Sequence, residues 1–521
     1  MKKTFLLASI TAIVIGCGSS KKSTTTTVET EVKKSYDVNF YAETITAEEL
    51  QTDLMVYASD EFEGRETGQP GQKQAVEFLK KQYVDLDIPA AKTDGNYFQE
   101  VPLEILKTPE ASLSINDKNF ELITDFVSIL PSKSGNIKTN EITYIGYGIE
   151  TESYSDYTNL DIAGKVVLFK AGEPKKADGT YAISGTTDAS KWSNFRQEFA
   201  LKRDLAREKG AKAILFYAPD IYQTAANRYG KSQGRMNLQA KEETLYYFVI
   251  DTNLAQTILP NIATTHTQET IKTDFNLEYK KVSDNFNSEN VAAFIKGTDK
   301  ADEVIVISAH LDHEGIKDGV VYNGADDDGS GTVAILEIAE AFKTAKNNGQ
   351  GPRRSILLLH VTGEEKGLLG SSYYADYDPI IPLNQTMVDL NIDMIGRIDP
   401  KREGTNRNYL YLIGSDKLST ELHTISEEVN ESCCKIELDY TFNEDNDPNR
   451  FYYRSDHYNF AKNNIPVIFY FNGTHDDYHK PTDTPDKIEY DLLENRTRLV
   501  FYTAWELANR ENKLVVDKVT E

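Results

Sequence analysis

The sequence predicts an α/β protein: a mixed, mostly parallel sheet with helices on both faces, into which a β-rich domain is inserted. Three observations predict it. Beyond residue 283, short apolar runs at 304–308, 355–361, 387–392 and 466–471 alternate with helical stretches, the pattern of buried parallel strands. His, Asp and Glu residues collect just after those runs, where open α/β sheets gather their ligands. Between about 110 and 281 the texture changes to short strand-like runs such as 141–147, 165–170 and 213–217, separated by Gly and Pro turns.

A chain of 521 residues exceeds one compact core and divides into domains. The expected division is a signal peptide at 1–16, a tether at 17–35, the first part of a catalytic domain at 36–109, the insert at 110–282 and the main part of the catalytic domain at 283–521. Hydrophobic residues make up 39% of the chain, enough to exclude wholesale disorder. The net charge of −25 repels nucleic acid phosphates, so nucleic acid partners are excluded.

Lys2 and Lys3 precede an apolar run at 5–15 and then Gly16-Cys17. The run is short for a membrane span but fits a secretory signal. Val14-Ile15-Gly16-Cys17 resembles a bacterial lipoprotein processing box, which implies a chain lipid-anchored through Cys17 in the bacterial cell envelope; plain secretion is the alternative. The Ser/Thr/Lys-rich segment 19–34 suits a flexible spacer. Cys433 and Cys434 are adjacent, and adjacent cysteines rarely bridge, so no disulfide is expected.

Further along, Thr46-Ala47-Glu48-Glu49 reads as a capping box that starts a helix with Leu50, Leu54 and Tyr57 on one face. A Gly/Pro-rich loop at 63–71 leads to a second amphipathic helix carrying Ala75, Phe78 and Leu79. In the insert, 203–209 is the helical exception. Ile335, Ile338, Ala339 and Phe342 share one face of the helix after the first apolar run, and a last helix around 499–507 packs on the sheet.

The chemistry-bearing residues are His310 with Asp312, the pair Glu364-Glu365, Asp393, His479 and an acidic residue from the loop Asp326-Asp327-Asp328. Two histidines and several carboxylates without thiolates suit Zn²⁺, with Mn²⁺ or Co²⁺ as alternatives. They are too many for one catalytic ion and suit two that share a bridge, activate water and polarise a carbonyl. Neighbouring residues at a strand end point apart. One of Glu364 and Glu365 can therefore bind metal while the other takes the water's proton. Asp312 can orient the His310 imidazole as an acceptor.

The segments SAHLDH, YNGADDDGSGT, TGEEKGLLGS, NIDMIGR, YRSDHYNF and DYHKPTDT, with SDEFEGRETGQPG upstream, resemble the co-catalytic di-zinc peptidases. This family includes bacterial leucyl aminopeptidases, glutamate carboxypeptidase and the non-catalytic transferrin receptor ectodomain. The resemblance implies two zinc ions per chain, His310 and Asp393 on one, Glu365 and His479 on the other, and Asp327 bridging them. It implies Glu364 as general base and a cis peptide bond after Asp327. The insert, with ITYIGYGIE and LDIAGKVVLFKAGEP, resembles a protease-associated domain.

The expected function is therefore an aminopeptidase acting on peptide substrates. A carboxypeptidase or dipeptidase on the same scaffold is the nearest alternative, and a non-catalytic receptor-like lipoprotein is disfavoured by the complete ligand set. A related amidohydrolase class places its extra domain between the fourth and fifth ligands, and a one-zinc cyclase does not need all five; both fit less well. His313, His360, His423, His457 and His475 carry no assigned role, although His457, Tyr452, Tyr453 and Tyr478 are candidates for pocket walls. Residue preference and oligomeric state are not legible.

Overall fold

The structure is a computed structural model that describes residues 37–518, except 195–196, 231–233, 240–242 and 403. The expected signal, tether and Cys17 lie outside the described residues. Among the described residues no helix is long and apolar enough to cross a membrane.

Helix α1 (Ala47–Tyr57) starts where the capping box is read. The Thr46 hydroxyl accepts the Glu49 N–H at 3.2 Å and meets its carboxylate at 2.8 Å, and Leu50, Leu54 and Tyr57 are buried. Helix α2 (Pro70–Asp85) has proline in its first turn, where the missing N–H costs nothing.

A nine-stranded sheet dominates the fold. Its first five strands are β1 (Phe98–Leu106), β2 (Arg235–Leu238), β3 (Ser283–Ile295), β4 (Lys300–His310) and β5 (Arg354–Val361). Strands β6 (Thr386–Ile392), β7 (Tyr409–Ile413), β8 (Glu437–Asp439) and β9 (Val467–Phe471) complete it, in the order β8-β7-β9-β6-β4-β5-β3-β1-β2. The central strands β9, β6, β4 and β5 are mutually parallel, while β3, β1, β2 and β7 pair antiparallel around them. The sheet is mixed and parallel at its centre, as predicted. Strand β4 runs to His310 rather than stopping at Ser308.

Alternation along the strands builds two cores. Ile305, Ile307 and Ala309 face one side with Ile356 and Leu358, packed against helices α3 (Gly331–Asn347) and α6 (Tyr490–Asn509). Val304 and Val306 face the other with Leu357 and Leu359, against Tyr374 of α4 (Leu369–Asp376) and Phe460 of α5 (His457–Ala461). Both faces are covered, so the central strands read as continuous apolar runs.

A second, eight-stranded sheet is built entirely from strands between Glu110 and Lys280. Its two faces carry separate cores, one around Leu113, Phe248 and Leu277 and one around Phe169, Ile214 and Phe216. Strand β2 comes from this stretch of chain but pairs with β1 at the edge of the main sheet. Cys433 and Cys434 form a disulfide, contrary to the expectation that adjacent cysteines stay unbridged.

One buried group breaks the apolar pattern of α3. Glu337 is 5% exposed and shares its surroundings with Glu49, Glu340 and Asp53. Burial, and then the repulsion of those carboxylates, pushes its pKa up to about 9. The folded chain therefore holds this proton more tightly than the unfolded one. The stability linked to it is fully present below the ordinary glutamate value of about 4.3 and is lost as pH rises towards the folded value. Glu337→Gln is expected to raise the melting temperature by about 2–4 °C at pH 8, with the gain disappearing towards pH 4.5. Equal melting curves for the two proteins across that range would contradict it.

Candidate metal centre

Four parallel strands deliver side chains to one rim of the sheet. His310 is the last residue of β4, Glu364 and Glu365 follow β5, Asp393 follows β6, and His479 lies on the loop beyond β9. Asp327 comes from the irregular turn Ala325–Ser330 that opens α3, and the Asp327–Asp328 peptide bond is cis.

Backbone hydrogen bonds to buried carboxylates tie these loops together. The Asp328 carboxylate accepts the N–H groups of His310 at 3.1 Å, Gly331 at 3.0 Å and Met394 at 3.1 Å. Asp483 accepts those of Asp326 at 3.0 Å and Asp327 at 3.2 Å. Asp326 accepts the Gly396 N–H at 2.6 Å and faces His475 Nε2 at 3.2 Å. The fully buried Arg65 guanidinium donates to the carbonyls of Leu311 at 3.1 Å, Asn323 at 2.6 Å, Gly324 at 2.8 Å and Tyr57 at 3.3 Å. It thereby clasps the loop after His310 to the loop before Asp327.

Within this frame the donor atoms converge on Asp327. His310 Nε2 stands 3.2 Å from Asp327 Oδ1 and 3.6 Å from Asp393 Oδ1. His479 Nε2 stands 3.1 Å from both Asp327 Oδ2 and Glu365 Oε2. A tetrahedral zinc ion with donors at about 2.0–2.1 Å holds them about 3.3 Å apart, so these separations suit two ions on either side of Asp327. His310 Nε2, Asp327 Oδ2 and Glu365 Oε1 are buried without a hydrogen-bond partner, a costly arrangement unless a ligand satisfies them. The five residues expected to hold metal are brought together, and they fit a metal pair.

Charge follows the same geometry. Burial opposes charge on His479, but Asp327 and Glu365 outweigh it and hold its pKa at about 10. Burial likewise opposes ionisation of Glu365, but His313 and His479 bring it down to about 2. Glu364 faces the hollow with Asp327 and Asp393 and is not paired with a histidine. Burial pushes its pKa well up, with Asp393, Glu365 and Asp456 adding to the rise and His310 opposing it. The hollow's other walls are Met394, Phe451, Phe469, Phe471, Thr474, Arg454 and Tyr478. Burial and then the surrounding carboxylates raise the Tyr478 pKa, so its hydroxyl keeps its proton as a donor.

Some expectations need correction. The Asp312 carboxylate does not orient His310; the main-chain carbonyl of Asp312 accepts from His310 Nδ1 at 3.0 Å. The carboxylate itself accepts the Thr67 hydroxyl at 2.8 Å and the Glu364 N–H at 3.2 Å, so it positions the Glu364 backbone instead. Residues two apart on a turn share a backbone contact more easily than a side-chain one. His457 is buried, stacked on Phe469 at 4.7 Å, and does not line the hollow; nor do Tyr452 and Tyr453, whereas Tyr478 does. His360 is a core group paired with the Tyr83 hydroxyl at 2.6 Å. The apolar walls Phe451, Phe469 and Phe471 were missed, since nothing in their spacing separates a pocket face from a core face. His313 was also missed, although it stands only three residues after His310.

Residues 290–504 match the profile of Peptidase family M28. The family resemblance read from the motifs therefore holds for the segment that carries the whole candidate centre. Aminopeptidase YwaD of Bacillus subtilis is 32% identical over 118 residues, 22% of this chain and 24% of that protein. The Arabidopsis thaliana protein named probable glutamate carboxypeptidase LAMP1 is 30% identical over 105 residues, 20% of this chain and 14% of that one. The matches thus span about a quarter or less of these curated relatives. Among solved structures, an aminopeptidase from Aneurinibacillus sp. strain AM-1 aligns over 93% of this chain and 99% of its own with a TM-score of 0.46 and 19% identity.

Arg65→Ala would leave four carbonyl acceptors of the clasp without their cation. It is expected to cost roughly 3 kcal/mol, read as a lower urea midpoint, and to weaken zinc retention on dialysis. An unchanged midpoint with unchanged zinc content would show that the clasp does not hold the centre.

Proposed function

We propose that this protein is an exported di-zinc aminopeptidase. The observation that carries this reading is Asp327. Its Oδ1 faces His310 and its Oδ2 faces His479, so one carboxylate stands between two separate donor sets. His310, Asp393 and Asp327 would hold one ion, and Glu365, His479 and Asp327 the other. Bound zinc there lowers the pKa of water and polarises a peptide carbonyl.

The side chains of the chain do the rest. Glu364 carries no histidine partner and has a raised pKa, which matches a base that takes the proton of the attacking water and hands it to the leaving amine. Asp312, through the Glu364 N–H, fixes where that base stands. Tyr478 offers its hydroxyl to the oxygen that gains charge as the carbonyl is attacked. Phe451, Phe469 and Phe471 provide an apolar wall for a substrate side chain.

A second reading, a carboxypeptidase or dipeptidase, is favoured by Arg454. It lines the hollow with its guanidinium 4.8 Å over the Phe451 ring, a position from which it can meet a substrate carboxylate. Peptides blocked or free at each end decide between the two. Hydrolysis that needs a free N-terminus is expected, with Glu364→Gln lowering kcat by roughly 10²–10⁴-fold while zinc is retained. Hydrolysis that needs a free C-terminus and is lost in Arg454→Ala would replace the aminopeptidase reading. No hydrolysis of any peptide would overturn both.

Export and lipid attachment at Cys17 belong to the same proposal and rest on the motif Val14-Ile15-Gly16-Cys17. Labelled palmitate is expected to be incorporated by the full chain and not by Cys17→Ala. Equal labelling, or none in either, would remove the anchor.

A further inference from the structure

His313 sits where the loop leaving β4 turns back beneath the rim. Its main-chain N–H points to the carbonyl of Arg65 at 3.4 Å, and Gly324 closes on its ring from the other side. A Cβ on Gly324 would stand 2.4 Å from His313 Cγ, and Gly324 has φ +57°, so glycine is required both for the turn and for the ring beside it. The result is an imidazole with no exposed side-chain surface, held against the metal centre rather than against solvent.

What the ring meets there is a set of ligands. His313 Nδ1 is 2.8 Å from Glu365 Oε1 and 3.8 Å from Asp327 Oδ2, and all three donor atoms lie within 4.8 Å of one another. The His479 ring packs edge-on to it with centroids 5.8 Å apart. Both ring nitrogens of His313 are buried without a well-formed hydrogen bond, and so are Asp327 Oδ2 and Glu365 Oε1. A hydrogen bond from Nδ1 to Glu365 has the length but not the alignment that it needs. Separations of 2.8 and 3.8 Å straddle the donor–donor edge of about 3.3 Å that a tetrahedral zinc sets. One cation would satisfy His313 Nδ1, Asp327 Oδ2 and Glu365 Oε1 at once.

We propose that His313 is a sixth metal ligand, binding through Nδ1 the ion that Asp327, Glu365 and His479 also hold. This rests on the reading of the hollow as a two-metal centre. The consequence is an asymmetric pair. The ion beside His313 has four protein donors, as closed zinc sites do, while the ion of His310, Asp393 and Asp327 has three and keeps an open position. The closed site would load first and hold its ion against chelators, and substrate and water would approach the open one.

The test uses the full protein with cobalt(II) in place of zinc, together with zinc titrated against a chelator. Each coordinated histidine contributes one solvent-exchangeable, paramagnetically shifted ring N–H resonance, so three are expected in the wild type, from His310, His313 and His479. Only two would overturn the proposal. His313→Gln is expected to lose one resonance and to weaken the tighter zinc site at least 10-fold, and His313→Ala to do the same. Two retained ions, an unchanged affinity and an unchanged cobalt spectrum in His313→Gln would overturn the proposal and leave the metal centre intact. A wild-type chain that binds no metal would overturn the centre and the proposal together. The wild-type resonance count decides the matter even if neither variant folds.

Discussion

The centre depends on the carboxylate of Asp328, the neighbour of the residue that faces both donor sets. Its two oxygens take three main-chain N–H groups, from the end of β4, from the start of α3 and from the loop after β6. Those are the segments that carry His310, Asp327 and Asp393. Backbone amides are obligatory donors that pay heavily for burial without a partner. A single buried anion therefore fixes three chain segments against one another. Arg65 does the converse with a buried cation, gathering carbonyls from the loops on either side. The side chains at the rim are held by their backbones, and so can point their own polar atoms into the hollow.

That arrangement leaves an electrostatic problem that protein groups alone do not solve. Asp327, Glu364, Glu365 and Asp393 converge on one small space, and the imidazoles of His310, His313 and His479 stand among them. Burial opposes the charged form of every one of these groups for which a shift is resolved. Buried like charges at such distances disfavour one another. Divalent cations would remove the repulsion and satisfy the orphaned atoms, and it is this shortage of partners, more than any one distance, that makes the hollow a candidate metal centre.

The parts of this that were legible in the sequence are those set by periodicity and by position at strand ends. The four central strands, the rim residues and the capped helix α1 follow from the spacing of apolar residues and from the side chains beside them. The order of Glu364 and Glu365 is not legible from spacing, because adjacent residues differ only in which way the chain turns; the resemblance implies one order, and the structure sets Glu365, not Glu364, against His479. The spacing brings Asp312 to His310 without saying which of its oxygens makes the contact, since the turn decides that the carbonyl and not the carboxylate arrives. Nothing in the sequence marks His313, because its burial beside Gly324 depends on how the two loops fold together. Strand β2 joins a sheet far from its sequence neighbours, and four residues carry no pattern strong enough to announce that pairing.

The central claim is that Asp327 stands between two ions. Diffraction from zinc-soaked crystals at the zinc absorption edge addresses it directly. Two anomalous peaks about 3.5–4 Å apart, one on the His310 side of Asp327 and one on the His479 side, are the expected result. A single peak, or two peaks of which neither touches Asp327, would contradict it.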